Sequence, residues 1–253
     1  MKKLITICLV ATTLLMIGSS ASAHWKVGDP YKMHYPQLPD PWGWDVSFSN
    51  NTILADDWQC SQTGYVKDIH FWVSSKGDDF PPMDTSVIHV SIYSDIPAAD
   101  SSTGYSMPGD LLWDRTFAGG QYDSGPDETG DQGWLDSVTG DAIPHDHTTY
   151  GIVNIKNIDA PWLQQEGTIY WLAVQVSTLA PYEDGWKTSI SEHFQDDAVY
   201  FTSTGGWQEL KYPSNDPLGR SGQSIDLAFV ITPEPATIVL LGFGALGLVR
   251  RKR

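Results

Sequence analysis

The segment IYWLAVQV, residues Ile169–Val176, decides the fold class. Its apolar side chains would fall on both faces of an extended chain, because successive residues of a strand point to opposite sides. A strand that is apolar on both faces has to be covered on both faces. We therefore predict that this segment lies buried in the centre of a β-sheet.

Period-two patterns continue on either side of this segment, and patterns of period 3.6 hardly occur. Such alternation is typical of strands with one buried face. Strands are predicted at Val66–Val73, Val87–Tyr93, Leu111–Phe117, Tyr150–Ile155, Ile169–Val176, Ala198–Phe201 and Ser224–Ile231. Turn signals separate these strands at residues 76–82, 95–109, 119–133, 180–185 and 203–206. Residues 157–166 are the one candidate for a short helix.

No linker or internal repeat divides residues 24–232. Seven or more strands separated by turns favour a β-sandwich or a jelly-roll-like domain. We therefore predict one all-β domain over residues 24–232, a length at which a substantial core can be buried.

This body of the chain is strongly acidic. The whole sequence holds 31 Asp and Glu against 15 Lys and Arg. One acidic and six basic residues lie in the two end segments, which leaves 30 acidic and 9 basic residues, a net charge of −21, within 24–232. Nucleic-acid affinity depends mainly on Lys and Arg at phosphates, so this composition excludes nucleic acid as a partner.

The N-terminal segment has the three parts of a signal peptide. Lys2 and Lys3 form the positive region, residues 4–17 form the apolar region, and Ala21 and Ala23 form a small-x-small cleavage site. The apolar region is shorter than the roughly 20 residues that a transmembrane helix needs. We predict export and removal of residues 1–23.

The C-terminal segment, residues 233–253, also has three parts. The motif Pro233-Glu234-Pro235 precedes an apolar stretch at 236–249, for which we predict a short transmembrane helix. Fourteen residues rise about 21 Å as a helix, less than the roughly 30 Å hydrocarbon core. The last part is a basic cluster, Arg250, Arg251, Lys252 and Arg253. By the positive-inside rule, this cluster keeps the C-terminal end on the cytoplasmic side.

These three parts in this order resemble the PEP-CTERM sorting signal of Gram-negative bacteria. The resemblance implies exosortase, a membrane-embedded cysteine protease, as a partner. It also implies transient residence in the inner membrane, a cut near the Pro-Glu-Pro motif, and delivery to the cell envelope or extracellular matrix. Two prolines cannot extend the helix backwards, which suits an accessible cleavage segment. An ordinary tail anchor is the alternative.

The body also resembles a known domain. The strings LADDWQC, DIHFWVS, SIYSDIP, YWLAVQV, GWKTS, DDAVY and SIDLAFVI, spread over about residues 50–231, are similar to a domain of unknown function. That domain occurs in exported proteins with the same C-terminal signal, notably from planctomycetes. The resemblance implies no activity and transfers no functional residues.

Tryptophan is abundant, and all eleven residues lie in the body. Trp42 and Trp44 stand in an N-terminal loop region, and Trp186 and Trp207 stand beside glycines. Exposed indoles stack on sugar rings in carbohydrate-binding sandwiches, whereas buried indoles fill the core of a sandwich without disulfides. The sequence leaves both interpretations open.

The stretch DSGPDETGD, residues 123–131, is predicted to be an acidic loop. Its carboxylates are hard oxygen ligands of the kind that calcium prefers, although their spacing differs from that of an EF-hand. Calcium binding and a simple solvated loop are the two hypotheses for it, and no other cofactor is predicted. The candidate ligands are Asp123, Asp127, Glu128 and Asp131, with Asp56-Asp57 and Asp196-Asp197 as unspecific additions.

Two further groups invite a chemical interpretation. His145 and His147 would share one side of an extended chain, but a zinc site needs a third ligand, so we predict a polar loop before the strand at Tyr150. Cys60 is the only cysteine of the body, which rules out an internal disulfide after processing. No basic residue flanks it to lower the thiol pKa, and we predict a buried thiol.

The sequence carries no GxSxG, P-loop or CxxC signature, and no GxGxxG that follows a predicted strand. We therefore predict an exported, exosortase-processed protein of the envelope or matrix that is not an enzyme. A carbohydrate-binding module is the alternative function. A polysaccharide hydrolase is the third, because 30 acidic residues offer many carboxylate pairs of the kind that glycosidases use.

Overall fold

The computed structural model describes residues 24–49, 52–81, 85–190, 194–195 and 197–233. The predicted signal peptide and most of the C-terminal signal, from Glu234 onward, lie outside these ranges. Within them the chain forms fourteen strands and one turn of 3₁₀ helix, Lys76–Asp78. The strands are β1 Trp44–Ser47, β2 Ile53–Gln59, β3 Gly64–Val66, β4 Asp68–Ser75, β5 Val87–Ile96, β6 Met107–Phe117, β7 Asp123–Leu135, β8 Ala142–Ile155, β9 Trp162–Gln164, β10 Ile169–Ser177, β11 Asp184–Lys187, β12 Val199–Thr202, β13 Gly206–Glu209 and β14 Phe229–Thr232.

One six-stranded sheet has the order β13-β12-β2-β10-β5-β6. Strand β10, which contains the apolar segment IYWLAVQV, lies between β2 and β5 and pairs antiparallel with both. Leu172 and Val174 face the main core, and Trp171 and Ala173 face a smaller apolar cluster on the other side. The prediction of a central strand buried on both faces is confirmed.

The other six-stranded sheet has the order β11-β1-β7-β8-β4-β14, and β11 also pairs with β4. Five strands (β11, β1, β7, β8 and β4) therefore close on themselves, and we call them the five-stranded ring. β1 pairs parallel with β7 through Asp45 and Trp134, and it pairs antiparallel with β11 through Asp45 and Lys187. The all-β, sandwich-like class is confirmed, with a ring that periodicity did not predict.

Most of the aromatic side chains fill the interior. Seven of the eleven tryptophans are buried: Trp25, Trp44, Trp58, Trp72, Trp134, Trp171 and Trp186. Trp186 contacts Phe71 and Phe229 with ring centroids 5.6 and 6.1 Å apart. Large aromatic side chains bury much apolar area, which gives this domain a core without a disulfide.

The secondary-structure predictions for residues 157–166 and 119–133 are wrong. Residues 157–166 contain β9, not a helix, because Leu163 pairs with Tyr65 of β3 while Gln164 turns inward. The predicted turn at 119–133 is mostly β7, which pairs with β8 from Asp123 to Leu135. The acidic half of β7 exposes most of its side chains, so it lacks the apolar alternation by which strands are recognised.

Candidate functional site

A polar concavity lies between the two sheets, and we call it the polar cleft. It has a volume of about 490 Å³, within the roughly 300–1,000 Å³ typical of ligand pockets. Tyr200 of β12 and Glu209 of β13 form one side, and the β7–β8 turn forms the other. The residues that line it are Leu135, Ser137, Gly140, Asp141, Ala142, Tyr200, Glu209, Leu210, Lys211, Pro213, Ser214 and Asn215.

Backbone hydrogen bonds hold the walls of the polar cleft. In the β7–β8 turn, the Val138 and Thr139 N–H groups donate to Asp136 Oδ1 at 2.9 and 3.0 Å. Gly140 has a φ of 80°, a left-handed conformation that glycine adopts without strain. Across the cleft, Asn215 Nδ2 donates to the Ala142 carbonyl at 3.0 Å. The cleft is thus preorganised, which lowers the entropic cost of binding.

The polar cleft presents an aromatic ring, an amide and charges of both signs. Tyr200 is half-buried and donates its hydroxyl to Gln208 Oε1 at 3.3 Å. Lys211 Nζ lies 3.0 Å from Glu209 Oε2. A ring edge or face with nearby carboxylate and amide groups suits a polyhydroxylated ligand, because hydroxyl groups both donate and accept hydrogen bonds.

Sequence reasoning missed every residue of the polar cleft. Its walls come from three separate stretches, 135–142, Tyr200 and 209–215, which meet only because the two sheets pack together. No pattern in the local sequence shows that these three stretches come together. The prediction nearest to the cleft was the turn at 203–206, between β12 and β13.

Of the tryptophans considered for sugar stacking, only Trp42 is largely exposed, at 62%. It lines a shallow depression of about 60 Å³ together with Asp131, His145 and Leu218. Trp44 and Trp186 are core residues. Trp207 is half-buried and packs against Phe201 and Tyr93.

The four candidate calcium ligands do not share a centre. Asp123 pairs with Lys156 at 2.5 Å, and Asp131 pairs with His145 Nδ1 at 2.6 Å. Asp127 accepts a hydrogen bond from the Trp72 indole, and Glu128 accepts one from the Tyr150 hydroxyl. The described residues contain no group of three or more His, Cys, Asp or Glu arranged to hold a metal ion. Residues 123–131, which were predicted to be a loop, form part of strand β7. Calcium binding stays a prediction.

His145 and His147 lie in β8, so the prediction of a polar loop is wrong. His145 is exposed, and His147 is buried inside the five-stranded ring. His147 Nε2 lies 3.0 Å from Asp45 Oδ2, and its Nδ1 lies 3.0 Å from Asp146 Oδ2. Lys187 Nζ lies 3.1 Å from Asp45 Oδ2. We call Asp45, Asp146, His147 and Lys187 the ring ion cluster.

The groups of the ring ion cluster shift one another's pKa values. Burial raises the pKa of Asp45, but Lys187 and His147 outweigh this effect, and the pKa lies below its ordinary value. Burial lowers the pKa of His147, but the hydrogen bond and charge of Asp45 outweigh it, and the pKa is raised from its ordinary value. Each ring nitrogen of His147 faces a carboxylate, so the imidazolium form can donate a hydrogen bond to both.

Replacing His147 with glutamine is expected to change how stability depends on pH. Because the folded-state pKa of His147 is raised, its stabilisation is fully present below pH 6.5 and is lost as pH rises through the folded value. The difference in melting temperature between wild type and His147→Gln should therefore shrink above pH 6.5. Thermal melts of both proteins from pH 5 to 9 measure this difference in melting temperature. A difference that grows with pH would contradict the raised pKa of His147.

The acidic pair at Asp56-Asp57 is fully buried in β2. Burial and the nearby charges of Asp226 and Asp57 raise the pKa of Asp56 well above its ordinary value. Asp56 Oδ2 accepts hydrogen bonds from Gln37 Nε2 and from the Leu227 N–H. These hydrogen bonds of Asp56 connect β2 to Gln37 and to the chain at Leu227. Of the other predicted pair, Asp196 lies outside the described residues.

Cys60 is buried and free, as predicted. Burial raises the pKa of its thiol, and the thiol donates to the Gln62 carbonyl at 3.2 Å. A protonated thiol is a poor nucleophile. Cys60 therefore acts as a small core residue.

A family model described as a domain of unknown function (DUF7901) matches residues 33–232. The chain belongs to the DUF7901 family. The family match thus spans both sheets and the polar cleft, and it confirms the resemblance noted from the sequence. No curated protein matches this DUF7901 chain.

The PEP-CTERM protein-sorting motif matches residues 232–253 of the DUF7901 protein. The match confirms the sorting signal and directs the protein to exosortase and to export through the cell envelope. Of the sorting motif, Pro233 is described, one residue beyond β14. No helix in the described ranges is long and apolar enough to cross a membrane, and the transmembrane segment predicted at 236–249 lies outside them.

Proposed function

We propose that this protein is a non-catalytic component of the cell envelope or extracellular matrix of a Gram-negative-type bacterium. Its sorting motif supports delivery to the outside by way of exosortase and the inner membrane. The arrangement of its carboxylates supports a non-catalytic role. Asp56, whose pKa is strongly raised, is enclosed in the core and does not line the polar cleft.

Saccharide binding is the specific activity that we propose for the exported body. The polar cleft carries this proposal, because it places Tyr200 beside Glu209, Asp141 and Asn215 in a preorganised concavity. The aromatic ring supplies a stacking surface, and the polar groups supply hydrogen bonds to hydroxyls. The net charge of −21 repels uronate polymers. We therefore expect neutral or amino polysaccharides as ligands.

Replacing Tyr200 with alanine is expected to weaken polysaccharide binding about tenfold, which corresponds to about 1.4 kcal/mol. Affinity electrophoresis of the exported protein in gels containing dextran, chitosan or alginate measures the effect. Tyr65→Ala is the matched control, because Tyr65 is 47% exposed and lies outside the cleft. Glu209→Gln keeps the size of the side chain and separately tests hydrogen bonding between the Glu209 carboxylate and the polysaccharide.

The same samples test the non-catalytic role. Polysaccharide incubated with the wild-type protein should gain no reducing ends over a buffer control. Release of reducing ends that Glu209→Gln abolishes would instead establish the hydrolase. Equal retardation of wild type and Tyr200→Ala in every gel would refute the assignment of the cleft.

A further inference from the structure

A second concavity lies at the opposite end of the β7–β8 hairpin from the polar cleft, and we call it the apolar cavity. It has a volume of about 350 Å³ and lies between β4 and β8 of one sheet and β5 and β10 of the other. Its apolar walls include Phe71, Val73, Ile88, Ile152 and Val176. Phe80, which is 42% exposed, lines one side.

The apolar cavity reaches from the surface beside Phe80 to the main hydrophobic core. A dry cavity of about 150 Å³ lined by Leu, Ile and Phe is enough to bind benzene. The apolar cavity is more than twice that volume. The lining residues that belong to the main core are Phe71, Ile88, Tyr122, Ile152, Val153 and Val176. The cavity therefore has the dimensions and chemistry of a site for an apolar ligand.

Several polar groups of the wall form hydrogen bonds with neighbouring residues. Asp184 accepts hydrogen bonds from the hydroxyls of Ser75 and Thr178 at 2.7 Å, and from that of Ser86 at 3.3 Å. The Tyr122 hydroxyl donates to the Ser86 carbonyl at 2.9 Å. The charged group among the lining residues is thus a carboxylate, which repels an anionic head group.

The C-terminal apolar stretch of this chain has a different destination from the cavity. It belongs to the sorting motif that matches residues 232–253, and we predict that exosortase processing removes it. In the exported form of the protein, the occupant of the cavity therefore comes from another molecule.

We propose that the apolar cavity binds the alkyl chain of an uncharged amphiphile. The carbon-lined walls accept the chain, and Asp184 disfavours a carboxylate or phosphate head group beside it. This site does not depend on the saccharide proposal, because the two concavities share no lining residue.

The test uses the full chain expressed in an exosortase-bearing host and purified in its exported form. Native mass spectrometry and titration calorimetry with monodecanoylglycerol should show one molecule bound per chain. Decanoate, which has the same chain and a negative head group, should bind at least tenfold more weakly. Asp184→Asn should reduce that difference. Equal affinities of the two probes for the wild type would refute the role of Asp184.

Filling the cavity tests its location. Val176→Phe should lower the affinity for monodecanoylglycerol at least tenfold, and Val73→Phe is a second filling variant should the first fail to fold. Leu111→Phe is the matched control, because Leu111 is 53% exposed and outside the cavity. Tyr200→Ala should leave alkyl binding unchanged. A folded filling variant that keeps the wild-type affinity, or a wild type that binds no monodecanoylglycerol, would overturn the proposal.

Discussion

Replacing Lys187 with methionine is expected to lower the free energy of unfolding by about 3–5 kcal/mol. Lys187 is fully buried, and its ammonium group lies 3.1 Å from Asp45 Oδ2, which is also fully buried. Without the ammonium group, Asp45 keeps only His147 as a basic partner within the ring ion cluster. A buried charge without its partner is strongly destabilising. Urea denaturation of wild type and variant measures the loss.

Lys76→Met is the matched control for that experiment. Lys76 also pairs with a carboxylate, Glu183, at 3.3 Å, but both side chains are more than one third exposed. Exposed ion pairs contribute about 0–1 kcal/mol, so this variant should stay close to the wild type. The double variant Asp45→Leu, Lys187→Met should recover part of the loss. If Lys187→Met lowered the free energy of unfolding no more than Lys76→Met does, the ring ion cluster would contribute little to stability.

Replacing Pro233 and Pro235 with alanine is expected to leave the protein membrane-bound and uncut in its native host. The sorting motif match covers both residues. Prolines prevent the following apolar stretch from extending as a helix into the cleavage segment, and alanine removes that barrier. The measurement is the intact mass of the mature protein, with the membrane and released fractions compared on the same blot.

Neutral substitution of Arg250, Arg251, Lys252 and Arg253 tests the other end of the signal. A tail without positive charge no longer defines the cytoplasmic side, so unprocessed protein should escape from the membrane. Wild-type protein should lose this tail and should begin at His24 after loss of the signal peptide. A mature species that ends at Arg253, with export otherwise normal, would show that the segment is a plain tail anchor.

The strands with strong apolar alternation were predictable. β5 and β10 begin at the predicted residues, Val87 and Ile169, and β4 contains the predicted alternation of Ile69, Phe71 and Val73. Ile88, Val90 and Ile92 of β5, the alternating apolar residues of that strand, all belong to the main core, so the pattern in the sequence records their burial directly. β4 is buried on both faces, because His70 and Trp72 are buried as well as Ile69 and Phe71. The prediction for 224–231 was only partly correct, because the regular strand there begins at Phe229.

The strands that lacked this pattern were not predictable. β7 is rich in acidic residues and Gly, and β1 and β11 have only four residues each. Their pairing depends on partners far away in the chain, as when Asp45 meets Trp134 and Lys187. Local sequence carries little information about such partners. The closed ring, and the burial of His147 and Lys187 within it, follow from that pairing.

The sequence by itself determined the sorting motif for export through the cell envelope and the all-β class. Export and sorting signals are recognised as short linear segments, and β-alternation is a local record of which side chains avoid water. The tertiary structure alone decided which indoles are buried, that the predicted calcium ligands go to separate partners, and where the two concavities lie. The physical reason is that burial, ion pairing and cavity shape depend on residues brought together by the packing of two sheets. Tyr200 and Asp141, 59 positions apart in the sequence, line one cleft only after that packing.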